Sequence, residues 1–440
     1  MRRVAVIGSG ISGLAVAWTL AGQARVTLLE AQDRFGGHAH TVEVTLPGRR
    51  GEVTHGVDTG FLVLNDRTYP RLLALFESLG IETFASEMSF SVQVPDAGLE
   101  WSGRHLGTVF AQPRNLGRPG FWRMLADIVR FNRLGTALAE RGEEARLREP
   151  LGDFLLRERF GASFRDWYLL PMLASIWSCP TDQMLRFPVA TMLRFCHNHG
   201  LLRITGRPQW RSVRGGSRGY VQRLLQRVPD ARLSTPVLGV RRGAGDAGVS
   251  VLTARGAEPY DEVVLACHAD QALALLENPS ADERAVLGAI RSQSNRAVLH
   301  TDTTLLPDRR RAWAAWNYER NAAPRRESAA VCLHYLINRL QPLPFEQAVI
   351  VSLNPAREPR LSQVLAEFDY RHPVFDLAAL DAQRGLPALQ GQRHTWFCGA
   401  WTGYGFHEDG LRSGLDVARQ LLQGWARDPA RPGQATQEAA

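Results

Sequence analysis

The 440-residue sequence contains no lysine, so all 52 of its basic residues are arginine. This absence excludes Schiff-base chemistry on lysine and a lysine acting as a general base. Cysteine is scarce, and its five residues form no Cys-x-x-Cys pair. An odd number of widely spaced cysteines indicates reduced thiols and excludes a disulfide framework and a zinc knuckle. We therefore expect a cytoplasmic protein.

Long apolar segments are also missing, since no uninterrupted apolar run approaches the roughly 20 residues that a transmembrane helix needs. A signal peptide is not expected, because the run Val4–Ile7 is already typical of a buried first strand. The formal net charge is +8, with the arginines scattered along the chain. Such a surface can attract an anionic membrane, while a nucleic-acid partner is not expected. An ordinary solvated, arginine-rich surface is the alternative interpretation.

One predicted helix combines basic and aromatic residues in a way that suggests membrane contact. Its members are Arg118, Phe121, Trp122, Arg123, Arg130, Phe131 and Arg133. This mixture is typical of an interfacial amphipathic helix, which would place the protein at the inner face of a membrane. A solvated helix face explains the same residues equally well.

The first 30 residues predict a strand, a glycine turn, a helix and a second strand. The turn, Gly8-Ser9-Gly10-Ile11-Ser12-Gly13, fits the pattern G-x-G-x-x-G. Its glycines permit a tight turn, close approach to a pyrophosphate, and close packing of helix on strand. Glu30 ends the second strand, where a carboxylate can accept hydrogen bonds from ribose hydroxyls. These features together predict a dinucleotide site.

The same glycine pattern recurs at residues 243–248, between two strand-like runs. No helix follows it, so we interpret it as the turn of a hairpin. A second, nicotinamide-binding lobe is therefore not expected.

Arg34, Gly36 and Gly37 extend the first fingerprint to E-x-x-x-R-x-G-G. The chain's other end carries Phe397-Cys398-Gly399-Ala400 and then Gly405-Phe406-His407-Glu408-Asp409-Gly410 before a last helix, expected from about Leu411. In this combination the chain resembles the flavin amine oxidase and phytoene desaturase superfamily. The resemblance implies noncovalently bound FAD, with the positive end of the last helix near the flavin pyrimidine.

A narrower resemblance rests on six longer stretches, which follow one another in the same order over residues 3–424. They are residues 36–42, 61–70, 88–92, 174–180, 206–210 and 403–410. These stretches resemble the flavoprotein half of plant cyclopropane fatty acid synthases and their bacterial stand-alone relatives. The resemblance implies a methyl-branched or cyclopropane fatty acyl lipid as substrate and a cyclopropane-synthase-like methyltransferase as partner.

The two resemblances and the motifs predict one set of cofactor-binding residues. The set is Gly8, Gly10, Ile11, Ser12, Gly13, Glu30, Arg34, Gly36, Gly37, His38, Phe61, Val237, Gly399, Glu408, Asp409 and Gly410. His407 is the catalytic acid or base candidate, although it can equally bind the cofactor or help to cap the last helix. We expect no metal site, because His38/His40 and His197/His199 lack a third ligand. Cys398 is expected to be a buried thiol without a flavin linkage.

The fold class that follows is α/β, with a Rossmann-type FAD-binding domain and an interleaved α+β substrate domain that carries a helical region. The expected FAD-binding parts are residues 1–66, 214–285 and 391–427. The expected substrate parts are residues 67–213 and 286–390, and residues 428–440 are an expected disordered tail.

The function predicted from these features is dehydrogenation of a lipid acyl chain by hydride transfer to flavin N5. Three alternatives stay open: a redox-neutral lipid isomerase, an amine oxidase, and a non-catalytic FAD-bound partner of a methyltransferase. The lack of lysine weighs against the amine oxidase, because many such enzymes use a lysine to hold a water at N5.

Overall fold

The computed structural model describes residues 1–143, 147–243, 248–320 and 330–427. Most of the second glycine motif, residues 244–247, and the expected disordered tail, residues 428–440, lie outside the described residues. The strands are β1 (Arg3–Ile7), β2 (Arg25–Leu29), β3 (Thr41–Gly48), β4 (Gly51–Asp58), β5 (Leu64–Asn65), β6 (Thr83–Ala85), β7 (Phe90–Val94), β8 (Leu99–Ser102), β9 (Trp210–Val213), β10 (Asp230–Arg232), β11 (Val237–Arg242), β12 (Val249–Thr253), β13 (Gly256–Tyr260), β14 (Glu262–Leu265), β15 (Ser292–His300), β16 (Trp316–Glu319), β17 (Cys332–Leu336), β18 (Ile350–Leu353), β19 (Val364–Pro373) and β20 (Thr395–Phe397).

The helices alternate with these strands along the chain. They are α1 (Ile11–Leu20), α2 (Pro70–Leu79), α3 (Leu106–Val109), α4 (Pro119–Arg141), α5 (Leu151–Arg157), α6 (Ala162–Phe164), α7 (Leu170–Trp177), α8 (Thr181–Leu185), α9 (Val189–Asn198), α10 (Arg218–Leu225), α11 (Ala269–Leu275), α12 (Ala281–Ala289), α13 (Ile337–Leu340), α14 (Leu377–Leu389) and α15 (His407–Arg427). Within the described residues, none of these helices has the length and hydropathy that a bilayer span requires.

A five-stranded parallel sheet forms the first layered unit, in the order β10-β2-β1-β14-β20. Alternate residues of β1 face opposite sides of this sheet. Val4 and Val6 pack in the same core as α1 and α15, whereas Ala5 and Ile7 pack with the antiparallel strands β11, β12 and β13. Burial on both faces explains why β1 is a continuous apolar run. The predicted Rossmann-type layer is therefore confirmed.

The second unit is a seven-stranded sheet in the order β19-β15-β18-β17-β16-β7-β8. Among the described residues of this sheet, β16 and β7 form the one parallel pair, and the other neighbouring strands are antiparallel. One face of the sheet shares a core with helices α4 to α9. This arrangement confirms the predicted α/β fold with an α+β unit and a helical region, while the predicted domain boundaries stay predictions.

The predicted amphipathic helix exists as α4, but its aromatic residues do not share one surface. Phe121 and Phe131 are fully buried, whereas Trp122 is half exposed. The two buried rings pack against other aromatic side chains, including Trp101 and Phe164. The helix therefore turns most of its apolar face into the core, as a helix of a globular protein does.

The bounds of two other helices can be compared directly with those predicted from the sequence. A helix over Tyr69–Leu79 closed by Gly80 is predicted, and α2 spans Pro70–Leu79 with Gly80 in the left-handed region at φ +61°. The last helix, expected from about Leu411, begins at His407 instead. The earlier start is the correction that matters most, because it makes His407 the first residue of α15.

Candidate functional site

The glycine loop lies at the carboxyl end of β1, where the chain enters α1. Gly8 has a φ of +101°, a conformation that side chains disfavour. A Cβ on Gly13 would lie 1.9 Å from the carbonyl oxygen of Gly8, so only glycine fits there. A Cβ on Gly10 would meet no atom within 4 Å. The loop is thus tight on its protein side and open at Gly10, where a phosphate needs space.

The N-terminus of α1 offers donors to that open space. Gly10 is its N-cap, and no side chain caps the helix. The N–H groups of the first turn, from Ile11 to Gly13, have no carbonyl one turn earlier to accept them. Such groups, together with the helix dipole, favour a bound anion.

Ser9 ties the glycine loop to the two segments that flank it. Its backbone N–H and its hydroxyl both donate to Oε2 of Glu30, at 2.9 and 2.5 Å. The hydroxyl oxygen accepts the N–H of Gly36 at 3.1 Å. The sequence pattern did not identify Ser9, because Ser9 occupies a variable position of G-x-G-x-x-G. In the structure its complete burial distinguishes it.

The second glycine pair closes the loop from the opposite side. Gly37 has a φ of +56°, and a Cβ there would lie 3.1 Å from Cα of Gly10. Arg34 donates from Nη1 to the carbonyl oxygen of Gly37 at 2.7 Å. Burial lowers the pKa of Arg34, with Tyr370 and Glu30 acting in the opposite direction. Arg34 therefore braces the loop that faces the open space at Gly10, and its predicted contact with the cofactor stays a prediction.

Val237 lies next to this end of the site, at the start of β11. Two residues earlier, Thr235 donates its N–H to the carbonyl oxygen of Glu30 at 2.8 Å. This backbone contact brings the start of β11 beside Glu30, the residue predicted to bind the ribose. The fold thus places the start of β11 next to Glu30, which lies more than 200 residues earlier in the chain, and the predicted contact of Val237 with the cofactor stays a prediction.

The other end of the site lies at the N-terminus of α15. The ring of His407 stacks on Phe61, with centroids 3.8 Å apart and planes at 11°. Its Nε2 lies 2.6 Å from the hydroxyl of Tyr220, on α10. Burial lowers the pKa of His407 to about 3 and raises that of Tyr220. Both groups are therefore neutral, and they share one hydrogen bond whose direction depends on the tautomer of His407.

The carboxylates that follow His407 contact backbone of this chain. Glu408 accepts the N–H groups of Arg71 and Leu72, both at 3.0 Å, at the start of α2. Asp409 accepts the N–H groups of Tyr404 and Phe406, at 2.9 and 3.2 Å. Asp409 thus shapes the entry to α15, whereas Glu408 joins α15 to the start of α2. Their predicted contact with the cofactor stays a prediction.

Two glycines of the C-terminal motif permit close packing near the same place. A Cβ on Gly410 would lie 2.8 Å from Cγ2 of Ile11, and one on Gly399 would lie 2.3 Å from Nε1 of Trp401. Cys398, the residue before Gly399, is fully buried, and burial raises the pKa of its thiol. The expected burial of this thiol is confirmed, while the absence of a flavin linkage stays a prediction.

A group of neutral histidines lies between the glycine loops and β19. The ring centroid of His38 is 5.1 Å from that of His372 and 6.4 Å from that of His268. Burial, reinforced by the neighbouring histidines, lowers the pKa of His38 well below 6.5, and burial lowers that of His372 to about 4. Sequence reasoning identified His38 and missed the other two, which come from distant segments.

Aromatic side chains extend the site from α15 into the helical region. The ring of Phe195, on α9, lies 5.1 Å from Phe406 and 4.5 Å from Trp177. His199 stacks on Phe195 at 3.9 Å, and burial lowers its pKa to about 4. These rings, which we call the aromatic wall, are neutral and largely enclosed.

A separate polar group lies within the seven-stranded sheet. Glu319, Cys332 and His334 are buried, and their ligand atoms lie within 4.8 Å of one another. Nε2 of His334 is 3.1 Å from Glu319 and 3.5 Å from the sulfur of Cys332, while Nδ1 is 2.7 Å from Ser352. These hydrogen bonds satisfy the group as it stands. The sequence did not reveal it, since its members come from different strands.

Comparisons with known proteins agree with this geometry. The family model for flavin containing amine oxidoreductases matches residues 11–341. No curated protein matches the sequence significantly.

Several solved structures share the fold. A CLA-producing fatty acid isomerase from P. acnes is 17% identical, with a TM-score of 0.65 over 95% of this chain and 98% of that one. Cyclohexylamine oxidase from Brevibacterium oxydans IH-35A is 16% identical, with a TM-score of 0.67 over 97% and 100%. A mutant of putrescine oxidase redesigned for cofactor binding is 16% identical, with a TM-score of 0.66 over 96% and 99%. At these identities the likeness establishes the fold alone.

Proposed function

The chain belongs to the flavin containing amine oxidoreductase family, and we propose that it dehydrogenates a methyl-branched or cyclopropane fatty acyl lipid. It is a flavin-dependent oxidoreductase with FAD as its cofactor. The identity of the substrate as a lipid is our inference. It is supported mainly by the neutral, aromatic character of the site beyond the predicted flavin position.

The cofactor fits the residues that are present. Open space at Gly10, the donors at the start of α1 and the carboxylate of Glu30 suit a pyrophosphate and its ribose. Bound FAD supplies a two-electron acceptor that takes a hydride equivalent at N5. The start of α15, with His407 held between Phe61 and Tyr220, would bind the flavin ring at the other end.

The aromatic wall supports an apolar substrate. A C–H bond of an alkyl chain reacts with flavin only when it is held close to it in a water-poor space. Rings such as Phe195 and Phe406 can exclude water and position an acyl chain. His199, which stacks on Phe195, is neutral and places no charge of its own next to that chain.

His407 has a positioning role in this proposal. Its Nε2 is engaged in a hydrogen bond with the hydroxyl of Tyr220, and its ring is stacked on Phe61, so the imidazole is held in one orientation. A water is then the acceptor for the proton that leaves the acyl chain, and the acid–base role of His407 stays a prediction.

An amine substrate is less compatible with these surroundings. Its ammonium group is charged near neutral pH, and the rings of the aromatic wall themselves carry no counter-charge to offset the cost of burying it. Aromatic rings can offset part of that cost through cation–π contacts. The chain also has no lysine to hold a water at N5. Together these points favour the lipid.

The test is anaerobic mixing of the FAD-loaded protein with a methyl-branched unsaturated phospholipid, followed through the visible band of oxidised flavin. We expect the band to bleach while the acyl chain loses two hydrogens, measured by mass spectrometry. Cyclohexylamine and putrescine serve as amine controls and should leave the band unchanged.

Other outcomes of this experiment would support one of the alternative functions. A rearranged acyl chain of unchanged mass, with the band intact at the end, would indicate a redox-neutral isomerase. Bleaching by an amine alone would identify an amine oxidase. No reaction with any of these compounds by a protein saturated with FAD would overturn the lipid assignment and favour a partner of a methyltransferase.

A further inference from the structure

An arginine-lined groove lies outside the site described above. It encloses about 260 Å³, and its lining residues are Arg104, His105, Gly107, Thr108, Arg310, Arg311, Trp313 and Arg339. Pockets for drug-sized ligands typically enclose about 300–1,000 Å³. The groove therefore suits a small, anionic group. None of the described residues that line it is acidic.

The groove carries excess positive charge. Glu87 pairs with Arg339 at 2.7 Å and with Arg104 at 3.4 Å. Arg310 lies over the ring of Trp313 at 5.3 Å, and within the described residues neither it nor Arg311 has a carboxylate partner. Four guanidinium groups against one carboxylate leave a formal charge of +3. Guanidinium is also the side chain best matched to phosphate oxygens.

Exposed apolar side chains border this groove. Leu106, on the helix α3 between the lining residues, is 78% exposed. The helix packs against the 3₁₀ turn Arg310–Ala312, so both walls belong to one surface. Phe110, just after α3, contacts Trp122 at 5.4 Å, and Trp122 is 50% exposed. Trp122 also donates from Nε1 to Leu116, which is 54% exposed.

We propose that this surface docks the protein on a membrane of anionic phospholipids. The groove takes the phosphate of a headgroup, and Leu106, Leu116 and Trp122 enter the interface beside it. Clustered arginines next to exposed apolar residues are the combination that binds anionic interfaces. The excess positive charge matches the headgroups of an anionic lipid surface, and the exposed apolar residues beside it match the acyl boundary below those headgroups.

The proposed surface differs from the interfacial helix that the sequence suggests. Of that helix's aromatic residues only Trp122 takes part, because Phe121 and Phe131 lie in the core. The charge comes from the segments around Arg104, Arg310 and Arg339, which only the fold brings together. The docking surface stands independently of the lipid dehydrogenase proposal, since its test does not involve turnover.

The test is co-sedimentation of the FAD-loaded, full-length protein with phosphatidylcholine vesicles, with and without phosphatidylglycerol. We expect binding only with phosphatidylglycerol, and loss of binding at about 1 M salt, where the Debye length is about 3 Å. Replacing both Arg310 and Arg311 by Gln should weaken binding about 30-fold, because each basic residue near an anionic surface raises the affinity about fivefold. The matched control is Arg49→Gln with Arg50→Gln, an adjacent exposed pair outside the groove.

The contribution of the exposed apolar residues to vesicle binding is tested with Leu106→Ser, which should weaken binding about fivefold. Leu361→Ser is its control, since Leu361 is 88% exposed elsewhere. Equal weakening by the two arginine pairs would overturn the proposal in favour of unspecific attraction. Binding of inorganic phosphate in calorimetry, lost in the Arg310/Arg311 variant, without any vesicle binding would also overturn it and assign the groove to a soluble anion.

Discussion

Gly10 and Gly13 lie three residues apart in one loop, yet their missing side chains face different surroundings. Gly13 is pressed against the Gly8 carbonyl, whereas Gly10 borders empty space. The backbone of Gly10 has φ −61° and ψ 174°, which alanine adopts without strain. One glycine is thus required by the fold, and the other by what the fold binds.

We expect Gly10→Ala to fold with unchanged stability in the absence of FAD and to bind FAD at least tenfold more weakly, because the new methyl group occupies phosphate space. Gly13→Ala should instead lower the free energy of unfolding by about 3 kcal/mol or more, because the new Cβ would clash with the carbonyl oxygen of Gly8. Urea unfolding of the apoprotein and FAD titration measure the two effects.

Gly424→Ala is the control for these substitutions. Gly424 lies inside α15 with no atom near its added Cβ, so alanine should stabilise the helix by about 0.5–1 kcal/mol and leave FAD affinity unchanged. If Gly10→Ala keeps full FAD affinity, the phosphate space has been placed wrongly.

His334 gives the protein a distinct pH dependence. Burial alone would lower its pKa, but Cys332 and Glu319 outweigh burial and raise it from 6.5 to about 9. A raised folded-state pKa contributes stability that is complete below the unfolded pKa of about 6.5 and is lost as pH rises through about 9.

We therefore expect the stability advantage of the wild-type protein over His334→Gln to shrink by about 2–3 kcal/mol between pH 6.5 and 9.5. Chemical unfolding at several pH values measures this difference. A constant difference across that range would mean that His334 does not gain a proton on folding.

Among the elements, those with local signals were predictable from the sequence. The pattern of α2 and the left-handed Gly80 belong to one stretch of chain, and so do β1, the glycine loop and α1. The start of α15 was predicted four residues late, because its first turn is stabilised from outside the helix. The order of the seven-stranded sheet could not be predicted, since pairs such as β16 with β7 join residues over 200 positions apart.

The same distinction applies to the candidate site. Its glycines and Glu30 follow a sequence pattern, whereas Tyr220, His268 and His372 enter only through long-range packing. Nothing in their local sequence marks these three residues as neighbours of His38 or His407.

Glu408 illustrates how one element stabilises another. Its carboxylate serves as a cap for α2, although it lies more than 330 residues away. Glu408→Ala should leave the N–H groups of Arg71 and Leu72 unpaired and lower the free energy of unfolding of the apoprotein by about 1–2 kcal/mol. Glu408→Gln, which keeps one acceptor, should lose less.

Urea unfolding measures this effect, with the exposed Glu346→Ala as a control expected to stay within about 0.5 kcal/mol of wild type. Unchanged apoprotein stability together with weakened FAD binding would contradict the capping role. It would assign Glu408 to the cofactor instead.

On the scale of the whole molecule, the site joins segments from the beginning, middle and end of the chain. The parallel sheet takes β1 and β2 from the first 30 residues, β10 and β14 from the middle, and β20 from near residue 396. A ligand that contacts all three segments stabilises the folded state by mass action.

We expect removal of FAD to lower the melting temperature reversibly, with a free-energy difference of about 4 kcal/mol when FAD is present at about 1,000 times its Kd. Differential scanning calorimetry at increasing FAD concentrations measures it. Gly10→Ala, which is expected to bind FAD at least tenfold more weakly, should lose at least about 1.4 kcal/mol of this difference at the same FAD concentration. An FAD-independent melting temperature in the wild-type protein would mean that the cofactor does not link these segments.

The packing of α15 on α1, close enough that a Cβ on Gly414 would lie 2.3 Å from the Ser12 carbonyl oxygen, also has a consequence for biosynthesis. The ribosome makes the glycine loop first and His407 394 residues after Gly13. At about 5–20 residues per second, the interval is about 20–80 s. The apolar surface of α1 that packs against α15 lacks this partner during that time, so we expect cofactor loading to follow the synthesis of α15.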